Sequence, residues 1–125
     1  MIKLKSLLLE NIESEVSQFE QELQSKYTIY LEQLHFYYDI LSNSIFLSDI
    51  YMKPQFKGKG WGTKIIKELV KFADDKKLPN QLIPATDSLK QSSINRLIRF
   101  YKKFGFIENK GNPQFDDMGM YRMPK

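Results

Sequence analysis

The sequence predicts a mixed α/β domain: one sheet with helices on both faces. Two observations carry that prediction. Segments with helical apolar spacing alternate with short extended apolar segments. One of these, Ile45–Met52, is apolar at both parities, as a strand covered on both faces must be. The 125 residues fit a single domain, 1–125. Apolar residues at 42% and aromatics at 14% supply a core, which excludes wholesale disorder.

Residues 1–9 read equally as a first strand or as the lead-in to a helix. Ile12, Val16, Phe19 and Leu23 then recur in steps of four, three and four residues and predict a helix over 11–26. Residues 27–40 read as extended. Their apolar alternation changes phase near Gln33, which a bulge would reconcile. Ser42-Asn43-Ser44 signals a hairpin turn into the strand Ile45–Met52. A loop over 53–62 follows, then a helix to about Lys77 with Ile65, Ile66, Leu69, Val70 and Ala73 inward. Residues 81–85 read as a short strand confined by Pro84. Ser88 or a neighbour caps a last helix carrying Ile94, Leu97, Ile98, Tyr101 and Phe104, and Gly105 ends it. Residues 106–108 and 118–123 close the sheet.

Composition removes several chemistries. The chain has no Cys and one His. Disulfides, Cys-ligated zinc, a thiol nucleophile and a multi-His metal site are therefore not expected. No uninterrupted apolar run exceeds three residues, against roughly 20 for a membrane span, and the basic start has no apolar stretch behind it. The expectation is a soluble, cytoplasmic domain. Charge is segregated. Residues 10–39 hold seven acids and one base, whereas 50–67 hold Lys53, Lys57, Lys59, Lys64 and Lys67 and no acid. An arbitrary lysine cluster is usually a solvated face; this one surrounds three glycines.

Gln55-Phe56-Lys57-Gly58-Lys59-Gly60-Trp61-Gly62-Thr63 lies between a predicted strand and a predicted helix. Glycine permits positive φ and close backbone approach, and the first amides of a helix have no internal acceptor. With the helix dipole and Lys57, Lys59 and Lys64, such a turn is a cradle for a pyrophosphate. The nucleotide-hydrolase loop is excluded by spacing, since Thr63 precedes Lys64. The dinucleotide fingerprint is excluded because the glycines fall at 58, 60 and 62, after a helix and a hairpin.

The segment Gln55-Phe56-Lys57-Gly58-Lys59-Gly60 instead resembles the acyl-CoA loop of the GCN5-related N-acetyltransferases, Gln/Arg-x-x-Gly-x-Gly/Ala. Downstream, Arg99-Phe100-Tyr101-Lys102-Lys103-Phe104-Gly105-Phe106 resembles the aromatic, Tyr-ending helix and Gly-Phe that follow in that family. The likeness runs from about Ile45 to the end and includes small phage and bacterial members. It implies a mostly antiparallel sheet splayed into a V-shaped cofactor cleft. It implies acetyl-CoA as the donor substrate, its pantetheine against the backbone of Ile50, Tyr51 and Met52, and its pyrophosphate on Gln55, Lys57, Gly58, Lys59, Gly60, Trp61, Gly62 and Thr63. It implies that Tyr101 protonates the departing thiolate, a role a phenol of pKa near ~10 can fill. Tyr101 also fits an ordinary core stripe. One departure stands out: many members carry Asn seven residues before this Tyr, where this chain has Ile94, with Asn95 beside it and Ser92 or Ser93 as possible substitutes.

An attacking amine must lose a proton, and Glu32, Asp39 and Asp49 are candidate bases. Asp49 stands alone in an apolar strand just before the loop, which suits a general base, although a carboxylate facing water there is equally ordinary. His35 reads as packed or exposed. Asp116 and Asp117 read either as a solvated loop or as a lip attracting a cationic amine, and Trp61 reads as packing on the sheet. The leading expectation is acetyl transfer from acetyl-CoA to a primary amine in a ternary complex, without a covalent acyl-thiol. A CoA-binding module without turnover is the alternative. Nucleic-acid binding, prompted by a pI of about 9.2, ranks below both because the aromatics fall on core positions. A homodimer completing the acceptor cleft is an open expectation.

Overall fold

The structure, a computed structural model, describes residues 4–85 and 91–125. Along the chain run α1 (Leu4–Lys26), β1 (Leu31–Asp39), β2 (Ser44–Met52), α2 (Trp61–Lys76), β3 (Asn80–Leu82), α3 (Gln91–Lys102), β4 (Ile107–Glu108) and β5 (Met120–Arg122). The strands form one sheet in the order β1-β2-β3-β5-β4. β2 and β3 are parallel; the other neighbouring pairs are antiparallel. The mixed, mostly antiparallel sheet is the one the sequence predicts.

Residues 4–9 are helical. Val16 and Leu23 are buried, and Phe19 stacks on Phe72 of α2 with ring centroids 4.2 Å apart. The extended segment begins four residues later than expected. The amides of Tyr30 and Leu31 both donate to the Tyr27 carbonyl, at 2.9 and 3.0 Å, and this turn reverses the chain into β1. A register shift between Leu31 and Gln33 supplies the expected bulge. A second lies between His35 and Phe36, where Ser48 is the extra residue on β2. Asn43 turns the hairpin at φ 49° and accepts a hydrogen bond from the Tyr38 hydroxyl at 2.5 Å. The predicted Ser88 cap lies outside the described residues.

Residues paired across a sheet share a face, so the register sorts the side chains. Phe36, Tyr38, Ile45, Leu47, Asn80, Leu82, Met120, Arg122 and Glu108 share one face; Tyr37, Phe46, Gln81, Tyr121 and Ile107 share the other. Phe19 of α1 meets Phe36, Asp74 of α2 grips Arg122, and Lys102 of α3 pairs with Glu108 at 3.4 Å. The three described helices therefore lie on the first face. This corrects the expectation of helices on both faces. The second face is covered toward its lower end by the 109–118 loop. Phe115 stacks on Tyr121 there, and Gln81 accepts from the Asp116 amide at 3.4 Å. Asn109 stitches this loop together, donating to the carbonyls of Asn112, Phe115 and Asp116.

Arg122 is 5% exposed. Its two guanidinium nitrogens reach Asp74 at 2.7 and 3.0 Å, and its Nε donates to the Phe104 carbonyl at 2.7 Å. That fork ties β5 to α2 and to the end of α3, and it holds the Asp74 carboxyl below its usual range. Among the described residues no helix is long and apolar enough to cross a membrane.

Candidate active site

Parallel pairing between β2 and β3 stops at Leu47 and Leu82. Past that point Ser48–Met52 continue, bonded to β1 on one side only, while β3 gives way to Ile83-Pro84-Ala85. The two strands separate, and the backbone edge of Ile50–Met52 faces the gap without a strand partner among the described residues. A cavity of about 100 Å³ occupies the gap, lined from β2 by Asp49, Ile50 and Tyr51, from the β3 side by Ile83, and from α3 by Leu97 and Tyr101.

Tyr101 reaches the gap from the helix side. It is 6% exposed, and its ring packs edge-on against Phe100 and Phe106. Burial, with a smaller contribution from nearby Tyr51, pushes its phenol up to about 12. Asp49 and Tyr51 reach the gap from the helix-free side, since they pair with His35 and Gln33. The Asp49 carboxylate is half-buried. It accepts from Gln33 Nε2 and Ser48 Oγ, each at 3.1 Å and both through Oδ2, leaving Oδ1 without a donor among the described residues. The Ser48 bulge makes this possible. It turns Asp49 to the face on which a regular strand would not place it.

The glycine turn adjoins this gap. Pro54–Phe56 form one 3₁₀ turn containing Gln55, and Gly58 and Gly60 then take φ 74° and 88°. Gly60 caps α2 in a left-handed conformation, which only glycine adopts freely. The first amide of α2 bonded within the turn is Lys64, to Gly60 at 3.2 Å. The amides of Gly58, Lys59, Gly60, Trp61, Gly62 and Thr63 find no acceptor among the described residues. All of these residues but Lys59 line a cavity of about 380 Å³, together with Met52, Phe56, Lys57 and Phe100. Six donors at a helix N-terminus, flanked by exposed Lys57 and Lys59, suit a polyanion.

Other expectations resolve by position. The Trp61 side chain stacks on Tyr30 at 3.7 Å and carries Lys64 over its outer ring at 4.3 Å, so its packing fixes where the helix starts. Asp39 is bound by Ser42 at 2.5 Å and Gln81 at 3.3 Å near the hairpin, away from the gap. Glu32 is exposed at the first bulge. His35 lies on the helix-free face with Nδ1 3.7 Å from Glu20. Asp116 accepts from the Met118 amide at 2.8 Å, and Asp117 borders a separate cavity between α3 and β5 rather than the gap. Ile94 lines that same separate cavity, while Asn95 is exposed and bonded to Gln91. Two side-chain positions were not read from the sequence, where Tyr51 was expected only for its backbone and Gln33 only as a bulge. The Tyr51 side chain shares the cavity with Tyr101, and Gln33 holds Asp49; neither is visible until the bulges set the register.

The sheet thus splits between two parallel strands, and a turn of amides without acceptors lies beside the split. Residues 28–108 match the family model described as an acetyltransferase (GNAT) domain, and the chain belongs to that family. A stretch of 44 residues is 48% identical to the thialysine N-epsilon-acetyltransferase of Sus scrofa, covering 32% of this chain and 26% of that protein. A stretch of 33 residues is 52% identical to the same-named enzyme of Bos taurus, covering 26% of this chain and 19% of that protein. The matches thus span about a quarter or less of those relatives. The fold is similar to that of the anti-CRISPR protein AcrVA5, with a TM-score of 0.53 and 19% identity over 70% of this chain and 85% of that one.

Proposed function

We propose that the protein transfers an acetyl group from acetyl-CoA to a primary amine by direct attack in a ternary complex, acting in the cytoplasm. The observation that carries this reading is that Tyr101 from the helix side and Asp49 from the helix-free side line one gap, while Met52 and Phe100, next to Tyr51 and Tyr101 in the chain, line the cavity of the glycine turn. In this reading the free amides of 58–63 hold the pyrophosphate and the Ile50–Met52 edge pairs with the pantetheine. The thioester then sits in the gap.

The amine nitrogen attacks the thioester carbonyl carbon. The new N–C bond forms as the C–S bond breaks. The proton lost by nitrogen passes to the Asp49 carboxylate, directly or through one water. Sulfur leaves as a thiolate beside the Tyr101 hydroxyl. A phenol pushed up to about 12 is a weaker acid than an aliphatic thiol, so complete proton transfer from it to the leaving thiolate is uphill. Tyr101 therefore serves best as a hydrogen-bond donor to the developing thiolate, which takes its final proton from solvent. The 44-residue likeness to enzymes named for an ε-amine acceptor supports an amine substrate.

The test is thermal stabilisation by acetyl-CoA together with thiol release in the presence of an amine panel. Stabilisation with amine-dependent release is the expected result. Neither effect, at acetyl-CoA concentrations up to the millimolar range, would overturn the reading. Stabilisation without release would favour a CoA-binding module.

A further inference from the structure

We infer that Tyr30 is a positioning residue for the donor turn: it clips the two ends of the glycine turn together and so sets the affinity for the donor's diphosphate. This rests on the reading of that turn as the acetyl-CoA cradle.

The turn does not hold its own shape. Its backbone bonds close only at its ends, from Phe56 and Lys57 to Lys53 and Pro54 on one side and from Lys64 to Gly60 on the other. Gly58 and Gly60 lie between at φ 74° and 88°, and a Cβ built on either meets nothing within 4 Å, so no neighbour packs against them. Glycine has the widest backbone freedom of any residue. Amides that must converge on one ligand therefore need a restraint from outside the turn.

Tyr30 supplies it at three points. Its carbonyl accepts from the Lys53 amide at 2.9 Å, where β2 runs out into the turn. Its ring meets Phe56 edge-on, with centroids 4.9 Å apart and planes at 82°. The same ring stacks on Trp61 at 3.7 Å and 15°. Phe56 is the last residue before Lys57-Gly58-Lys59-Gly60, and Trp61 is the first after it. One side chain thus touches both ends of the span, and aromatic pairs fix orientation as well as distance.

Tyr30 is itself anchored. The turn it belongs to is fastened to α2 by the Tyr27 hydroxyl, which donates to Glu68, and by Lys26, which pairs with the same carboxylate at 3.0 Å. The Tyr27 ring also meets Trp61 edge-on at 6.4 Å. Tyr30 is not among the residues lining the cavity of the glycine turn, so it acts through Phe56 and Trp61 rather than on the ligand.

Apparent affinity scales with the fraction of molecules whose site has the competent shape. If loss of the clip lowers that fraction to about one tenth, acetyl-CoA binds about tenfold more weakly. Acetyl-pantetheine carries the thioester arm without the diphosphate and is spared.

The experiment measures Kd for acetyl-CoA by calorimetric titration and for acetyl-pantetheine by thermal shift, in wild type, Tyr30→Leu and Tyr30→Phe. Tyr30→Leu should weaken acetyl-CoA about tenfold and change acetyl-pantetheine by less than about twofold. Tyr30→Phe keeps the ring and should restore wild-type affinity. Should Tyr30→Leu not fold, Tyr30→Met fills the space with a flexible chain and carries the same expected split. Equal weakening of both ligands, undiminished acetyl-CoA affinity, or no rescue by Tyr30→Phe overturns the inference and leaves acetyl transfer intact. Loss of folding in both the Leu and Met variants makes Tyr30 a folding residue only and also overturns it. A wild-type protein that binds acetyl-CoA no more tightly than acetyl-pantetheine overturns the cradle reading as well.

Discussion

Substituting the three glycines of the donor turn by alanine separates conformation from space. Gly58 and Gly60 have φ 74° and 88°, and a Cβ built on either meets nothing within 4 Å. Steric collision within the protein is therefore excluded, and the cost is purely that of the backbone. A left-handed conformation costs a non-glycine residue roughly 1–2 kcal/mol. Gly60→Ala should lose about 1 kcal/mol if the turn keeps its shape, lowering Tm by about 3–5 °C in a chain of this size. If the turn relaxes instead, the amides of 60–63 swing away from a common centre. Each charge-assisted bond to phosphate then lost is worth about 1.5–3 kcal/mol, so acetyl-CoA affinity falls by about 10- to 100-fold. Gly62 is different. It sits inside α2 without positive φ, and its Cβ would contact Phe100 at 4.0 Å. Gly62→Ala should leave stability equal or higher by up to ~1 kcal/mol. Calorimetric titration with acetyl-CoA and thermal melts read both quantities. Wild-type affinity and wild-type Tm in Gly58→Ala and Gly60→Ala would refute the claim that left-handed backbone builds the cradle.

Tyr101→Phe should lower kcat about 100-fold or more while leaving acetyl-CoA affinity within about twofold; the reverse split in kinetics and titration would remove the hydroxyl from the chemistry. Because the folded phenol is pushed up to about 12, its proton is retained as pH rises past 10, and the stability linked to its neutral form is lost only between the ordinary value of 10 and 12. A wild-type kcat limb falling near pH 10 that disappears in Tyr101→Phe would contradict this assignment. Asp74→Asn should cost about 2–3 kcal/mol in urea unfolding, since it leaves the buried Arg122 charge without its partner. The Asp74 pKa is lowered, so the ion pair contributes fully above the ordinary 3.8 and is lost as pH falls through the folded value; the gap between wild type and variant should close in acid. Gln24→Met should cost about 1 kcal/mol by orphaning the Leu34 carbonyl and should raise self-association measured by sedimentation, because it opens the β1 edge.

What the sequence made legible was whatever depends on local chemistry. The helical stripe through Val16, Phe19 and Leu23, the glycine turn and the end of α3 at Gly105, φ 95°, all follow from spacing and from residues with special backbone freedom. The Tyr27–Tyr30 turn did not, because aromatic residues there read as strand while tertiary packing of Tyr30 on Trp61 holds them as a turn. The bulge at Ser48 did not either. An inserted residue has no compositional mark in a strand apolar at both parities, yet it decides that Asp49 and Tyr51 share a face with Phe46. Among the candidate bases, sequence already singled out Asp49 over Asp39 and Glu32 as the lone acid of an apolar strand, and the register adds the face on which it stands.

The helices' common face also has a physical cause, and it leaves the gap open from the other face. β2 and β3 are parallel neighbours joined by α2, and β3 and β4 run parallel across β5, joined by α3. Both crossovers step across the sheet in the same direction. Right-handed connections in one direction place their helices on one side. Element order alone does not say whether successive crossovers advance or reverse, and reversal is what puts helices on two faces. Here they advance. The helix N-terminus with its free amides and the helix bearing Tyr101 are consequently on one side, the side of the proposed donor site. The opposite side keeps Asp49 open to an acceptor. A fold with reversed crossovers would have roofed that carboxylate with a helix, and direct attack through the gap would have had no approach.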